Sequence, residues 1–332
     1  MKKISIFLII ICAFGSANAQ NSQNDEATVL SAQAVKLFTE KKYKEAVPVA
    51  AKVVKLREQE FGADHFKTGE ALRNLGLIQS AKGDKDEAEK TLEKAVAIYQ
   101  AKTDLGKGSQ AQLAQMLETV GIYKFEKRKV EKAKELYQKS SELNQQIYGQ
   151  DALETTSSLW ALGNIYQFQK DYKNAEQTYR RVLEIRAKKL ERSDWNIQEA
   201  QSYYYCMSVR NDNGDEALTF IKSLTPDSSA NSPFQSSLTP KLIRGGVING
   251  KATNLAKPAY PLEARSARAS GAVNVQTTIN EEGKVIFACA ISGNKLLFEA
   301  SESAAYQSTF NPTTLSGKPV KVMGVIVYNF VP

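Results

Sequence analysis

An internal repeat constrains this chain more than any other feature. A small residue followed twelve positions later by alanine occurs four times: Ala34 and Ala46, Gly76 and Ala88, Gly121 and Ala133, Gly163 and Ala175. The alanines step by 42, 45 and 42 residues. Leu30, Leu72, Leu117 and Leu159 lie four before the small residue, and Leu75, Val120 and Leu162 one before it. Ala50, Leu92, Tyr137 and Tyr179 lie four after the alanine. These are one-face helical spacings. Each unit therefore reads as two amphipathic helices joined by a turn such as Lys82-Gly83-Asp84, with the small residue and the alanine letting the two backbones approach. One hairpin cannot bury its apolar face alone, so the units must stack. A fifth unit follows, with Ala217 42 residues after Ala175 and Tyr205 at the small position. That bulky residue fits a terminal unit, and Pro226 is expected to end its second helix. Pro48 falls within the first turns of its helix, where few N–H partners are lost.

The pattern resembles tetratricopeptide repeats. The 42-residue step and stretches such as Phe61-Gly-Ala-Asp-His65 before a helix are similar to the longer kinesin-light-chain type. The resemblance covers about residues 27–225 and implies an all-α solenoid that binds peptides in a concave groove lined by the first helices. Arg73, Asn74, Trp160 and Asn164 occupy non-core positions of those helices and are the expected groove residues.

After a Ser/Pro/Asn-rich stretch over 226–240, the period changes from helical to alternating. Val273, Val275, Thr277 and Ile279 read as a half-buried strand, Asn280-Glu281-Glu282-Gly283 as a hairpin turn, and 284–291 as a second strand. Leu297, Ala300 and Ala304 give a helical stripe, Phe310-Asn311-Pro312 breaks it, and Gly317-Lys318-Pro319 leads into a long strand over 320–330. A short helix is expected near Leu262–Ala267. The ordered set Lys257-Pro258-Ala259-Tyr260-Pro261-Leu262-Glu263-Ala264-Arg265, Gly271-Ala272-Val273, Glu282-Gly283-Lys284-Val285, Phe310-Asn311-Pro312 and Gly317-Lys318-Pro319-Val320 resembles the C-terminal domain of TonB-type energy transducers over about 255–332. Pro258, Tyr260 and Pro261 carry that motif. The resemblance implies a small α+β domain: a three-stranded antiparallel sheet with helices on one face, which captures a segment of an outer-membrane receptor by strand addition. The organisation expected is thus 1–19 signal, 20–225 solenoid of about five repeats, 226–240 linker and 241–332 TonB-like domain.

The last strand is apolar on both faces, with Val320, Val322, Ile326 and Tyr328 on one and Met323, Val325 and Val327 on the other. A sheet with one solvated face does not have this pattern. Three covers are open: a partner strand along Val320, Val322, Met323, Val325 and Val327, the chain's own segment 241–256, or a second copy of the chain as a homodimer.

Lys2 and Lys3, the apolar run 4–14 and Ala17-Asn18-Ala19 before Gln20 read as a cleaved export signal, placing the mature chain in the periplasm with no membrane span. The sequence departs from the energy transducers in three ways. It has this signal in place of a long membrane helix, it lacks a long Pro-rich stretch, and Lys257 stands where glutamine is common. The reading is a periplasmic adaptor that binds protein or peptide partners; the alternative is an atypical energy transducer acting on outer-membrane receptors. From residue 241 onward there are ten Lys/Arg against five Asp/Glu, so the basic excess lies at the C-terminus and favours acidic or anionic partners. Nucleic acid is not expected. The single histidine, His65, excludes His-pair metal sites, and no nucleophile–base pair or ligand cluster emerges, so neither an enzyme nor a cofactor is expected. Gly106-Lys-Gly108-Ser-Gln-Ala111 fits a dinucleotide pattern but has no preceding strand. Cys206 and Cys289 could pair in an oxidising compartment; their spacing does not argue for it, and the expectation is two small buried hydrophobes.

Overall fold

The computed structural model describes residues 26–102, 104–191, 194–224 and 242–331. The expected signal and the 226–240 stretch lie outside them. Ten helices come first: α1 (Glu26–Thr39), α2 (Tyr43–Phe61), α3 (Phe66–Lys82), α4 (Lys85–Ala101), α5 (Lys107–Glu126), α6 (Val130–Tyr148), α7 (Thr156–Phe168), α8 (Tyr172–Lys189), α9 (Trp195–Arg210) and α10 (Gly214–Leu224). An α+β region follows: β1 (Leu242–Val247), β2 (Ala252–Asn254), α11 (Leu262–Ser266), β3 (Gly271–Ile279), β4 (Val285–Ser292), α12 (Phe298–Gln307), β5 (Thr309–Phe310), β6 (Thr313–Leu315) and β7 (Lys318–Phe330). The chain divides into two compact units, one ending at Ile165 and the other beginning at Tyr166.

The repeat is visible in the turns. Lys41, Gly83, Arg128, Lys170 and Asp212 all have positive φ, each five residues before its unit's alanine. Each turn closes with a bond from the next amide to the carbonyl five residues back: Lys42 to Leu37, Asp84 to Gln79, Lys129 to Lys124, Asp171 to Tyr166 and Asn213 to Ser208, at 2.7–3.0 Å. This is the Schellman closure, which satisfies carbonyls left over at a helix end. Five hairpins share one turn geometry although only one turn residue is glycine.

In the first unit the close approach is direct. A Cβ on Gly76 would lie 2.6 Å from Leu92 Cγ, and one on Gly121 would lie 2.9 Å from Tyr137 Cε1. The large residue four after each alanine thus fills the space that the glycine leaves. Ala46, Ala88 and Ala133 are fully buried. α2 runs through Pro48. His65 caps α3, its Nδ1 accepting from the Lys67 amide at 3.2 Å. Gly106 precedes α5, so the dinucleotide-like stretch opens a helix between repeats. An ion cluster joins α4 to α5. Lys124, nearly buried, bonds Glu89 at 2.7 Å and also reaches Glu93, while Lys127 bonds Glu89 and Asp86 at 2.5 Å each. Burial alone would raise the Glu89 carboxyl; the two lysines overcome it and hold it below the ordinary range.

In the second unit β7, β3 and β4 form the expected antiparallel core in the order β7-β3-β4. The sheet is larger than three strands. β1 adds to β7 in parallel, and β6 pairs with the start of β7. One face, carrying Val273, Val275, Ile279, Ala288, Ala290, Val322, Ile326 and Tyr328, packs with Leu297, Phe298, Ala304 and Ala305 of the α12 segment into one apolar core. The Asn280–Gly283 turn is as expected: Gly283 has φ +80°, and a Cβ there would strike the Phe310 carbonyl at 1.9 Å.

Candidate functional site

The long strand β7 was the candidate capture site, and its backbone is now accounted for on both sides. Val325 accepts from the Ile248 amide at 3.0 Å, and Val327 exchanges two bonds with the Asn249 side chain, at 2.7 and 2.8 Å. These groups point away from β3; by strand alternation those of Lys321 and Met323 do too. β1 lies on that side, Leu242 opposite Lys321, Ile243 opposite Val322, Arg244 opposite Met323 and Val247 opposite Val325. Val320 lies opposite Thr313 of β6. The edge named for a partner strand is therefore occupied by the chain itself, through β1 and the Asn249 amide, which stands in for one more strand residue; Val320, of the same parity as Val322, meets β6 on the other side. Of the five valine and methionine positions, Met323, Val325 and Val327 direct their main chain to this edge. Val320, Val322, Ile326 and Tyr328 have buried side chains.

The opposite edge of the sheet is blocked differently. The Ala290 amide donates to Glu302 Oε1 at 2.7 Å, and the Ala288 main chain bonds the Tyr306 hydroxyl. Two α12 side chains one turn apart thus satisfy outward groups of β4.

The apolar second face of the sheet is covered by α9, a cover the sequence analysis did not consider. Cross-strand register places Cys289, Gln276 and Val325 in one row, and Phe287, Thr278 and Met323 in the next. On α9, Trp195, Gln198, Ser202, Cys206 and Val209 follow at three- and four-residue spacing, one helical stripe. Gln276 Nε2 donates to Ser202 Oγ at 3.2 Å, and Tyr203 lies 4.6 Å from Phe287, centroid to centroid. The Lys321 ammonium lies 4.6 Å from the centre of the Trp195 ring. Cys206 and Cys289 are joined as a disulfide with Cα atoms 5.9 Å apart. This corrects the expectation of two separate buried thiols. Spacing along the chain gave no sign of it because the bond depends on α9 docking across the sheet, 83 residues away in sequence. Glu302 lies beside the disulfide, its oxygen and the two sulfurs within 4.8 Å of one another. Joined sulfurs have no thiolate to offer a metal.

Charged groups close the rim of the α9 contact. Arg210 binds Glu302 at 2.5 Å and stacks 5.0 Å from the Phe298 ring centre, and Lys295 binds Asp212 at 2.6 Å. Burial pushes the Glu302 carboxyl above its ordinary range, with the Arg210 charge and the Ala290 amide pulling the other way. Two of the motif residues Pro258, Tyr260 and Pro261 have described contacts within the domain. Pro261 caps α11, and the Tyr260 hydroxyl bonds the Ala269 carbonyl at 2.7 Å while its ring meets Phe330 edge-on at 5.8 Å.

The second candidate surface lies in the first unit. Arg73 and Asn74 are adjacent on α3 and half-buried, with an Arg73 Nη2 to Asn74 Oδ1 bond of 2.9 Å. Trp160 and Asn164 lie one turn apart on α7, also half-buried. Arg73 and Trp160 each stand three before their repeat's small residue, and so does Glu118 on α5. Glu118 was missed, although the register alone points to it. It accepts from Ser157 Oγ at 2.8 Å and Ser140 Oγ at 3.0 Å, and burial holds its carboxyl above the ordinary range against those two bonds.

Residues 25–101 and 112–188 match the family model described as tetratricopeptide repeat, and residues 256–332 match that described as Gram-negative bacterial TonB protein C-terminal. This chain joins tetratricopeptide repeats to a TonB C-terminal domain. Among solved structures, it is similar to the kinesin light chain nearly identical TPR-like repeats of Podosopora anserina, at 19% identity and TM-score 0.48 over 62% of this chain and 96% of that one. It is also similar to BtubC (BKLC) of P. vanneervenii, at 17% identity and TM-score 0.48 over 63% and 84%. No curated protein matches the sequence. The tetratricopeptide repeats point to protein–protein interaction and the TonB domain to a role in the envelope. No helix among the described residues is long and apolar enough to cross a membrane.

Proposed function

We propose that this protein is a periplasmic adaptor. Its tetratricopeptide groove holds one protein or peptide partner around Arg73, Asn74, Glu118, Trp160 and Asn164. Its TonB-type domain takes a strand from another, a segment of an outer-membrane receptor, along the Lys321–Val327 edge of β7. The export signal over 1–19 delivers it, with Gln20 as the mature N-terminus. The observation that carries the reading is the outward main chain of β7. It is a continuous row of donors and acceptors made for a neighbouring strand, and strand addition draws its affinity from such groups. The basic excess from residue 241 onward suits an acidic partner or an anionic envelope surface.

The test uses photo-crosslinking residues at Asn164 and Asn329 in the full-length protein in its native cell. The adaptor reading expects different proteins at the two positions. It further expects the Asn329 product to vanish when Val325→Pro removes an outward N–H, while the Asn164 product persists. Proline at Val322 would instead remove an amide that faces β3. Capture of the same protein at both positions, or an Asn329 product indifferent to Val325→Pro, would exclude it.

A further inference from the structure

The edge assigned to a partner is filled, and the way it is filled is uneven. At one end the filling is firm. Ile248 is buried and its Cγ2 lies where a Cβ on Gly324 would come within 2.6 Å, and Asn249 makes two bonds to the Val327 main chain. At the other end it is slight. β1 is the one parallel strand among the described strands of the sheet, and it pairs at four positions with an irregularity between Arg244 and Val247. That irregularity holds Gly245-Gly246, with Gly246 at φ +58°, and Val247 is 64% exposed. Glycines weaken a strand interior and mark bulges. β7 itself has thirteen residues and is held on its other side by nine register positions with β3, so it does not need β1 to stay in the sheet.

A second device makes the release of β1 cheap for the rest of the fold. The Cys206–Cys289 disulfide fixes α9 to β4 across the sheet, so the placement of the C-terminal domain against its last repeat does not depend on β1. Between Leu224 and Ile248, which both stay in place, there is chain enough for β1 to leave.

We propose that β1 is a latch. Residues 242–247 occupy the capture edge of β7 in cis, they detach about the Gly245-Gly246 bulge while Ile248 and Asn249 hold, and a partner strand enters parallel to β7 in their place. The protein thus keeps its edge covered until a partner outcompetes its own strand, which also removes an exposed edge that would otherwise invite pairing between copies. This inference rests on the strand-capture reading for its purpose, though not for its mechanics.

Hydrogen exchange on the wild-type protein tests the mechanics with no partner. A latch expects the β1-facing amides of Lys321, Met323 and Val325 to exchange at least ~100-fold faster than the β3-facing amides of Val322, Gly324 and Ile326, with Val327 slow because Asn249 stays. Equal protection along the strand would overturn it. A second arm uses a synthetic peptide with the sequence of residues 241–248. Full-length Ile243→Pro, which removes a β1 amide from the pairing, is expected to bind this peptide at least ~10-fold more tightly than wild type; no gain overturns the proposal. If both arms succeed while the Asn329 crosslinker collects no envelope protein, the latch stands and the capture reading falls.

Discussion

Lys41 holds a left-handed backbone conformation, φ 60°, that only glycine adopts without steric cost, and so do Arg128 and Lys170 at the same position of later repeats. Gly83 shows that the turn accepts glycine. Lys41→Gly is therefore expected to stabilise the protein by about 0.5–1 kcal/mol, the steric relief exceeding the added freedom of the unfolded chain. Urea unfolding of the two proteins measures it. Glu118 gives a pH-dependent case. Burial raises its folded-state pKa above the unfolded value, so the folded state binds the proton more tightly. Its contribution to stability is full below the ordinary carboxylate value and is lost as pH rises through the raised one. Glu118→Gln keeps an acceptor for Ser140 and Ser157 and removes the ionisation. The variant should gain stability over wild type as pH rises from the ordinary carboxylate range, seen as a growing difference in thermal midpoint. A difference that does not change with pH would mean the carboxyl ionises as freely in the folded state as in the unfolded one. Glu89 has the opposite sign: its depressed pKa adds stability above the ordinary carboxylate range that is lost in acid.

At the scale of elements, what could be read from the sequence was local. The glycine–alanine spacing located the helix hairpins because close backbone contact leaves few residue choices, and alternation located β3, β4 and β7. The cover of the sheet's second face could not be read this way. Both apolar faces of β7 were visible in Met323, Val325 and Val327, but nothing along the chain says that the covering stripe is Trp195, Gln198, Ser202, Cys206 and Val209. Two of the five residues of that stripe are polar, and α9 is buried on its repeat-facing side as well, so it carries no clean amphipathic signal. The cysteine pair was the one local clue, and it pairs only once the fold has brought α9 to β4. β1 was missed as a strand because its two glycines break the alternation, although self-cover by 241–256 was among the open alternatives. The energetic weight of the α9 contact follows from its covalent tie. In the chain-entropy description a disulfide closing an 83-residue separation contributes about 4.5 kcal/mol. The double variant Cys206→Ala/Cys289→Ala is thus expected to lose roughly 2–5 kcal/mol, seen as a lowered thermal midpoint that reductant no longer affects. Wild type in reductant should approach the variant.

For the molecule as a whole, the placement of the TonB-type domain is the open structural consequence. Its sheet closes over α9 of the last repeat instead of hanging from a free tether, and the interface is partly polar: among the described residues, neither amide atom of the buried Gln198 nor Oε1 of the buried Gln276 has a hydrogen-bond partner. Buried amides left unpaired make such a contact weaker than its area suggests. The disulfide is then what holds the two parts together, and cutting the chain between them separates its role from that of the linker. With a specific protease site inserted into 226–240, cleavage should give fragments that co-migrate on a non-reducing denaturing gel and separate on a reducing one. In native buffer the cleaved protein should elute from gel filtration as one species, whereas cleaved Cys206→Ala/Cys289→Ala should come apart on dilution because only the polar-flawed interface remains. Separation of the cleaved wild type on a non-reducing gel would mean that the two cysteines are not joined and that α9 is not the second face's permanent cover. Persistence of the cleaved variant as one species would put the α9 contact, not the disulfide, in charge of the domain's position. In that case, release of β1 at the capture edge would leave α9 and the sheet together even in a reducing environment.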